Sequence, residues 1–336
     1  MSLNIDSAPA SMGNNVGVEV TVYAPASMGN VGVGFDLLGA ALAPIDGSLL
    51  GDRVSVSAAD TGIHLSLAGH WADKLPQDPQ ENIVYQCADF FLKQLDRKDG
   101  LALVLEKNLP VGSGLGSSAS SVVAALYALN EYFDRPYDEQ ALLRLMGEFE
   151  GKISGSVHYD NVAPCYLGGM QLMLDTPSRL CDAIPTFDDW YWLVAYPGIS
   201  LSTAKMRDLL PKQYDKAVVI DFGRYLSAFV HASYKKDPNL AISVLKDVLA
   251  EPYRAAAIPG YEESRVALAE IGMLTSGISG SGPTLFSITD NLHTAQKAQA
   301  WLDKNYVKQG GFSHICKIDA QGTRRTDSLN NFKIQD

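Results

Sequence analysis

Cysteine is scarce in this chain: Cys87, Cys165, Cys181 and Cys316 are the four among 336 residues, widely separated and without a C-x-x-C pair. That spacing gives neither a zinc knuckle nor a disulfide framework, and a reduced, cytoplasmic setting is expected. Basic residues are also in deficit. Lys and Arg number 27 against 38 Asp and Glu, a formal charge of −11. Binding nucleic acid without regard to sequence depends on Lys and Arg neutralising phosphates, so no nucleic-acid partner is expected. No apolar run reaches the length of a membrane span, and the first residues lack the basic and hydrophobic regions of a secretory signal, so no membrane partner is expected either. What the chain does have is 46% hydrophobic residues, ample for a packed core, and a length above the usual single domain. Two domains sharing a cleft are the expectation.

The most informative segment reads Leu109-Pro110-Val111-Gly112-Ser113-Gly114-Leu115-Gly116-Ser117-Ser118-Ala119-Ser120-Ser121. It joins a strand pattern, Leu101 to Glu106, to a helix pattern carried by Val122, Val123, Leu126, Leu129 and Phe133. Glycines let a backbone approach an anion and turn its N–H groups toward it, and a following helix adds unpaired donors at its positive end. An ordinary Gly/Ser loop is the plainer alternative. A P-loop would require Lys after the glycines, and none is present. A dinucleotide fingerprint would require wider glycine spacing and an acid closing a second strand, whereas Glu131 falls on the helix pattern. A strand, a glycine-serine loop and a helix with hydroxyls in its first turn remain, and such hydroxyls can ligate a nucleotide-bound Mg²⁺.

Ala8-Pro9-Ala10-Ser11-Met12-Gly13-Asn14 recurs as Ala24-Pro25-Ala26-Ser27-Met28-Gly29-Asn30, and only the second copy follows a strand-like run, Val18 to Tyr23. Residues 1–17 are therefore expected to be a disordered leader or duplication remnant. Strand patterns cover Arg53–Ser57, Ile63–Leu67 and Gly168–Leu174, and helix patterns cover Ile83–Leu95, opened by Asn82, and Leu142–Gly151. A second unit starts at the aromatic run Trp190–Tyr196. Helices are expected around Phe222–Tyr234, Leu240–Leu249, Tyr261–Ile271 and Thr294–Asn305, and strands at Leu285–Thr289 and Ile315–Asp319. The domains predicted are 18–182 and 183–323, with a polar tail at 324–336.

Four more clusters carry polar chemistry at expected turns. Pro25 to Asp36 sets Asn30 and Asp36 on a glycine-rich loop, where both side chains would ordinarily satisfy backbone groups. Glu148 to Asn161 gathers Glu150, His158, Asp160 and Asn161 beyond what a helix cap needs. Thr203 and Arg207 stand four apart and would share a helical face. Gly277-Ile278-Ser279-Gly280-Ser281-Gly282-Pro283-Thr284 is a second small-residue loop.

In this order, Pro-x-x-x-x-Asn-x-Gly-x-Gly-Phe-Asp, Pro-x-Gly-x-Gly-Leu-Gly-Ser-Ser-Ala and Gly-x-Ser-Gly-Ser-Gly-Pro resemble the three motifs of the GHMP small-molecule kinases. Val33 to Gly39, His158 to Pro164 and Glu251-Pro252-Tyr253-Arg254 resemble the homoserine kinase family within it, in its enterobacterial form. The likeness spans roughly residues 20 to 322. It implies an α+β fold with a ribosomal-S5-domain-2-like N-terminal half, a ferredoxin-like C-terminal half and a homodimer. It also implies transfer of the ATP γ-phosphoryl group to the side-chain hydroxyl of L-homoserine, in threonine biosynthesis. The loop from Pro110 to Ser120 would wrap the ATP phosphates, Asn82 and Lys107 would line the adenosine pocket, and Ser118 and Glu150 would hold Mg²⁺. Homoserine would meet Asn30, Asp36, His158, Asn161, Thr203, Arg207 and Arg254, with Asp36 on its ammonium and the two arginines on its carboxylate.

The resemblance makes Asn161, Glu150, Ser118 and Arg207 the catalytic set. Where some relatives carry a carboxylate base, this chain has Asn161, which cannot take a proton. Direct transfer by positioning and charge neutralisation is expected, with the proton passing to a phosphate oxygen. Asp160 is the rival base. Alternatives are a GHMP kinase for another alcohol, opposed by the amino-acid-like charge set, and a catalytically silent nucleotide or metabolite sensor, opposed by Ser118 with Glu150. Threonine, a hydroxy amino acid of similar size, is a candidate feedback inhibitor in the same pocket.

Overall fold

The computed structural model describes residues 18–326. The leader expected over 1–17 and the tail beyond Thr326 lie outside the described residues. Along the chain come β1 (Val20–Pro25), β2 (Ser27–Gly29), β3 (Leu38–Pro44), β4 (Gly51–Ala59), β5 (Ile63–Ala68), α1 (Ile83–Gln94), β6 (Gly100–Glu106), α2 (Ser117–Tyr132), α3 (Glu139–Ser154), α4 (Val162–Leu167), β7 (Met170–Met173) and β8 (Cys181–Ile184). There follow β9 (Tyr191–Tyr196), α5 (Thr203–Asp208), α6 (Lys216–Lys235), α7 (Pro238–Val244), α8 (Glu251–Arg254), α9 (Tyr261–Ile271), β10 (Thr275–Ile278), β11 (Leu285–Thr289), α10 (Leu292–Asn305), β12 (Phe312–Ile318) and β13 (Arg324–Thr326).

The strands form two sheets. The first has the order β13-β1-β4-β6-β5, antiparallel except where β5 runs parallel to β6. Its buried face, Val22, Val54, Val56, Leu103 and Leu105, packs with α1 and α2 in one apolar core. α2 is buried nearly all round, as its run of Ala, Val and Leu demands. The second sheet has the order β10-β11-β9-β12-β3-β7-β8, with β2 paired to β3. Alternate residues of β9 point to opposite faces: Trp192 and Val194 join Phe229 of α6, whereas Leu193 and Ala195 join Leu268 of α9 and Leu302 of α10. From β9 to β12 the path strand–helices–strand–strand–helix–strand, in the order β10-β11-β9-β12, is the ferredoxin-like pattern.

Three differences from the sequence reading have local causes. β3, β7 and β8, all before residue 185, complete the second sheet, so sheets and sequence halves do not coincide. Arg324–Thr326, placed with the tail, pair with β1 at Thr21↔Thr326. The helix expected over Leu240–Leu249 stops at Val244, where Leu245 N–H turns to Ile242 O and Lys246 N–H to Val244 O, and Asp247 takes donors further along. Its carboxylate accepts from the N–H groups of Leu249, Ala250 and Glu251 at 2.8–3.0 Å and opens α8, the helix that carries Arg254.

Candidate active site

A cleft of about 830 Å³ opens between the glycine loop, the end of α3, the loop after β2 and the start of α5. Gly112, Gly114 and Gly116 have φ of +69°, +82° and +63°, all in the left-handed region. Two other segments pin their loop. Leu201 N–H donates to Gly112 O at 3.0 Å, Ser279 Oγ to Gly114 O at 2.7 Å and Thr284 N–H to Ser113 O at 3.1 Å. A Cβ on Gly114 would stand 2.4 Å from Ser279 O, so the two small-residue loops fit only without side chains there. Gly116 then caps α2.

Behind the loop lies an ion pair with almost no exposure. Lys107 Nζ donates to Asp52 Oδ2 at 2.5 Å, to Ser117 O at 2.7 Å and to Ser121 Oγ at 3.0 Å. Asp52 Oδ1 accepts from the N–H groups of Asn108 and Leu109. The Lys107 ammonium thus spends all three protons fastening β4 and the end of β6 to the first turn of α2. Lys107 borders the cleft as expected, but as a brace for the loop rather than a free donor. Asn82 caps α1, its Oδ1 accepting Val84 N–H at 2.9 Å, and also borders the cleft. Leu75, Pro76, Ile83, Leu105 and Ile153 give this end an apolar lining suited to a flat base.

Ser118 and Glu150 meet as expected, Ser118 Oγ donating to Glu150 Oε1 at 2.6 Å. α3 carries Glu150 there from an N-cap at Asp138, whose carboxylate accepts Ala141 N–H at 2.8 Å. Burial pushes the Glu150 carboxyl up to about 7, against the lowering effect of the Ser118 bond. Among the described residues no group of three or more His, Cys, Asp and Glu is placed to hold a metal by itself. Mg²⁺ is commonly held by one or two carboxylates together with substrate phosphates, and the Ser118–Glu150 pair beside the cradle fits that pattern.

The opposite end is built from charged side chains. Asp36, at φ +57°, accepts both Nη2 and Nη1 of Arg207, at 2.8 and 3.0 Å. His158 Nδ1 lies 3.8 Å from Asp36 Oδ2, and burial lowers the imidazole below its ordinary value. The Arg207 and Arg254 guanidinium groups each lie 5.5 Å from the Phe35 ring centroid. Arg254 is 2% exposed and donates to Met206 O and Gly280 O, and burial lowers its pKa. Thr203 and Arg207 do share a face of α5, and Thr203 Oγ1 lies 3.3 Å from Ser281 Oγ of the second small-residue loop. Asn30 behaves as a turn residue, taking Asp36 N–H on Oδ1 at 3.0 Å and donating to Gly280 O at 2.9 Å, while bordering the cleft.

Asp160 and Asn161 lie between the two ends. Gly147 of α3 lets Tyr159 pack against the helix, since a Cβ there would be 2.2 Å from the ring, and this seats 158–161 in the cleft wall. Burial, with Asp36 adding to it, drives the Asp160 carboxyl up to about 7 in spite of Arg207 and two backbone N–H groups.

Not every predicted residue faces the cleft. Val111, Gly112, Ser113, Gly114, Gly116, Ser117 and Ser118 do. Pro110, Leu115, Ala119 and Ser120 are buried behind it: Leu115 and Ala119 fill apolar cores, and Ser120 Oγ donates to Ala24 O while accepting Asp52 N–H. Sequence reasoning missed Asp52, an acid just ahead of the Arg53–Ser57 strand pattern with no motif around it. It also passed over Phe35, quoted in a motif but given no role.

Residues 82–169 match the family model for the GHMP kinases N terminal domain, and residues 230–308 match that for the GHMP kinases C terminal. The chain is similar to the crystal structure of homoserine kinase from Cytophaga hutchinsonii at 29% identity and TM-score 0.84, over 96% of this chain and 100% of that one. It is similar in fold to a protein of Listeria monocytogenes put forward as a homoserine kinase, at 20% identity and TM-score 0.68, over 92% of this chain and 100% of that one. A third likeness is to L. major mevalonate kinase in complex with R-mevalonate, at 18% identity and TM-score 0.64, over 93% of this chain and 98% of that one. Both family matches fall on the two halves that wall this cleft, with the glycine loop inside the first, and the chain belongs to the GHMP kinase superfamily.

Proposed function

We propose that this chain phosphorylates the side-chain hydroxyl of L-homoserine with ATP, giving O-phospho-L-homoserine, a step of threonine biosynthesis. The observation that carries the reading is the Asp36–Arg207 pair with Arg254 beside it, set across one cleft from the glycine loop. An α-amino acid offers an ammonium to Asp36 and a carboxylate to the guanidinium groups, whereas a neutral sugar or a hydroxy acid satisfies at most one side. The likeness to the Cytophaga hutchinsonii homoserine kinase supports the same acceptor.

In the proposed mechanism the glycine loop, braced from behind by Lys107, holds the donor phosphates, and Asn82 and the apolar end hold the base. Ser118 and Glu150 would hold Mg²⁺, which would supply charge neutralisation when bound. Arg207 and Asp36 orient the amino acid, and Asn161 positions its side-chain hydroxyl by hydrogen bonding. The new O–P bond forms as the bond to the ADP leaving oxygen breaks, and the hydroxyl proton passes to a phosphate oxygen. Asn161 cannot take that proton, and Asp160, raised by burial to about 7, is the rival acceptor that the direct-transfer reading has to exclude.

The enzyme is proposed to act in the cytoplasm as a homodimer, with threonine competing for the acceptor pocket. Among the described residues no helix is long and apolar enough to cross a membrane. The test is Mg²⁺-dependent ADP release across L-homoserine, L-serine, L-threonine, mevalonate and galactose, with the product identified by mass spectrometry. Selective O-phosphohomoserine formation is expected. Turnover of another alcohol would overturn the acceptor pocket, and tight ATP binding without turnover would overturn the enzyme. Homoserine kinetics unaffected by threonine would reject the shared pocket.

A further inference from the structure

Ser27 of β2 is wholly buried and stands behind the cleft wall, outside its lining. It touches both halves of the site. Its backbone N–H donates to Leu115 O of the glycine loop at 3.2 Å, and its hydroxyl donates to Asn161 Oδ1 at 3.1 Å. Gly116 closes down on this contact, for a Cβ there would lie 2.1 Å from Ser27 Oγ and 3.1 Å from Asn161 Oδ1. Two residues along the same face of β2, Gly29 leaves room for the other end of the amide. A Cβ on Gly29 would lie 2.7 Å from Asn161 Nδ2 and 2.2 Å from Asp160 Oδ2.

The two ends of an asparagine amide have nearly the same shape and opposite hydrogen-bonding character, so its neighbours decide which end faces where. Asn161 Nδ2 donates to Asp160 Oδ2 at 3.5 Å, a long contact that holds the amide weakly. The shorter bond from Ser27 is the stronger restraint on the carbonyl end. Ser27 is also joined through its own backbone to the loop proposed to cradle the donor phosphates.

We propose that Ser27 is a positioning residue, fixing the Asn161 carboxamide for the acceptor hydroxyl and tying that orientation to the seating of the phosphate loop. The inference rests on the placement of Asn161 at the acceptor hydroxyl given above. A loosened catalytic group costs rate more than binding, so Ser27→Ala is expected to lower kcat by roughly tenfold with the KM for ATP and for the acceptor changed less than about twofold. Ser27→Cys, similar in shape but a weaker donor, is expected to fall between.

The deciding experiment is a double-mutant cycle with Asn161→Ala, run on whichever alcohol the wild-type protein phosphorylates. If Ser27 acts through Asn161, adding Ser27→Ala to Asn161→Ala changes kcat by less than about twofold. The same loss in both backgrounds, a loss confined to the KM for ATP, or full activity of a folded Ser27→Ala protein would each overturn the proposal. If Ser27→Ala does not fold, Ser27→Cys takes its place in the cycle. Wild-type turnover of an alcohol other than homoserine would remove the acceptor assignment and leave the cycle to judge Ser27 by itself.

Discussion

The two ends of the cleft are held by different means. At the glycine loop the work is done by main chain and by groups already saturated: three left-handed glycines, carbonyls pinned from neighbouring loops, and Lys107 with Asp52 out of reach of solvent. At the other end the charges face one another, Asp36 against Arg207 with His158 near, and their side chains are about a quarter to a third exposed. The first arrangement is pre-organised, so a ligand there meets donors already in place. The second is a pair whose partners a zwitterionic ligand can replace, its ammonium substituting for Arg207 and its carboxylate for Asp36. Changes at the first end should therefore cost rate or stability, and changes at the second should cost acceptor affinity.

The largest effect is expected where the two ends meet the transferred group. Glu150→Gln removes the carboxylate from the Ser118–Glu150 pair while keeping its shape, and kcat/KM should fall by roughly a thousandfold or more if the charge holds a metal. Mg²⁺ titration of the rate separates this from a folding defect. A Glu150→Gln protein with wild-type Mg²⁺ dependence would remove the metal assignment. Next in size is Lys107→Met, which leaves Asp52 buried without its cation, a change that typically costs about 3–5 kcal/mol. A large fall in Tm is expected. A raised KM for ATP at unchanged Tm would instead make Lys107 a nucleotide ligand, and the contrast between the two ends would lose one of its supports.

Arg207→Lys probes the exchangeable end. Lysine keeps the charge but not the planar fork that now grips both Asp36 oxygens, and the KM for homoserine should rise by about ten- to a hundredfold with the KM for ATP nearly unchanged. Equal effects on both substrates would mean that Arg207 serves the transferring phosphoryl group rather than the acceptor.

What could be read in the sequence follows the same division. The glycine loop was legible because close approach of backbone to an anion demands glycine and leaves a pattern, and the strand and helix on either side were marked by their periodicity. Asn82 was legible as a cap. The brace behind the loop was not: Asp52 and Lys107 stand 55 positions apart and meet only once β4 pairs with β6. The charged end was legible in its members, through resemblance, but not in its pairing. Nothing local to Asp36 announces that Arg207, 171 residues away, will hold it. The strand that links the two parts of the second sheet escaped for a related reason. The Ala- and Gly-rich Leu38–Pro44 strand carries little strand signal of its own and is set by its neighbours β2, β7 and β12.

The smallest expected effect is a pH dependence of opposite sign for activity and for stability. Glu150 and Asp160 rise from ordinary carboxylate values of 4.5 and 3.8 to about 7, chiefly by burial. A carboxyl raised on folding binds its proton more tightly in the folded state, so its stabilising contribution is complete below about pH 4 and is lost as pH rises through about 7. Glu251, partly buried and raised to about 7, adds to the same slope. The ligand-free protein should therefore lose stability as pH rises from about 4 to 7. Under the proposed metal site activity should run the other way, because Mg²⁺ would compete with the proton on Glu150, and kcat/KM should fall about tenfold per unit below pH 7. Saturating Mg²⁺ should shift that acid limb downward. Asp160→Asn should flatten part of the stability slope while leaving the Mg²⁺-sensitive limb in place. If the limb vanished with it, Asp160 would be the proton acceptor, and the direct-transfer mechanism would give way to base catalysis at the carboxyl beside Asn161.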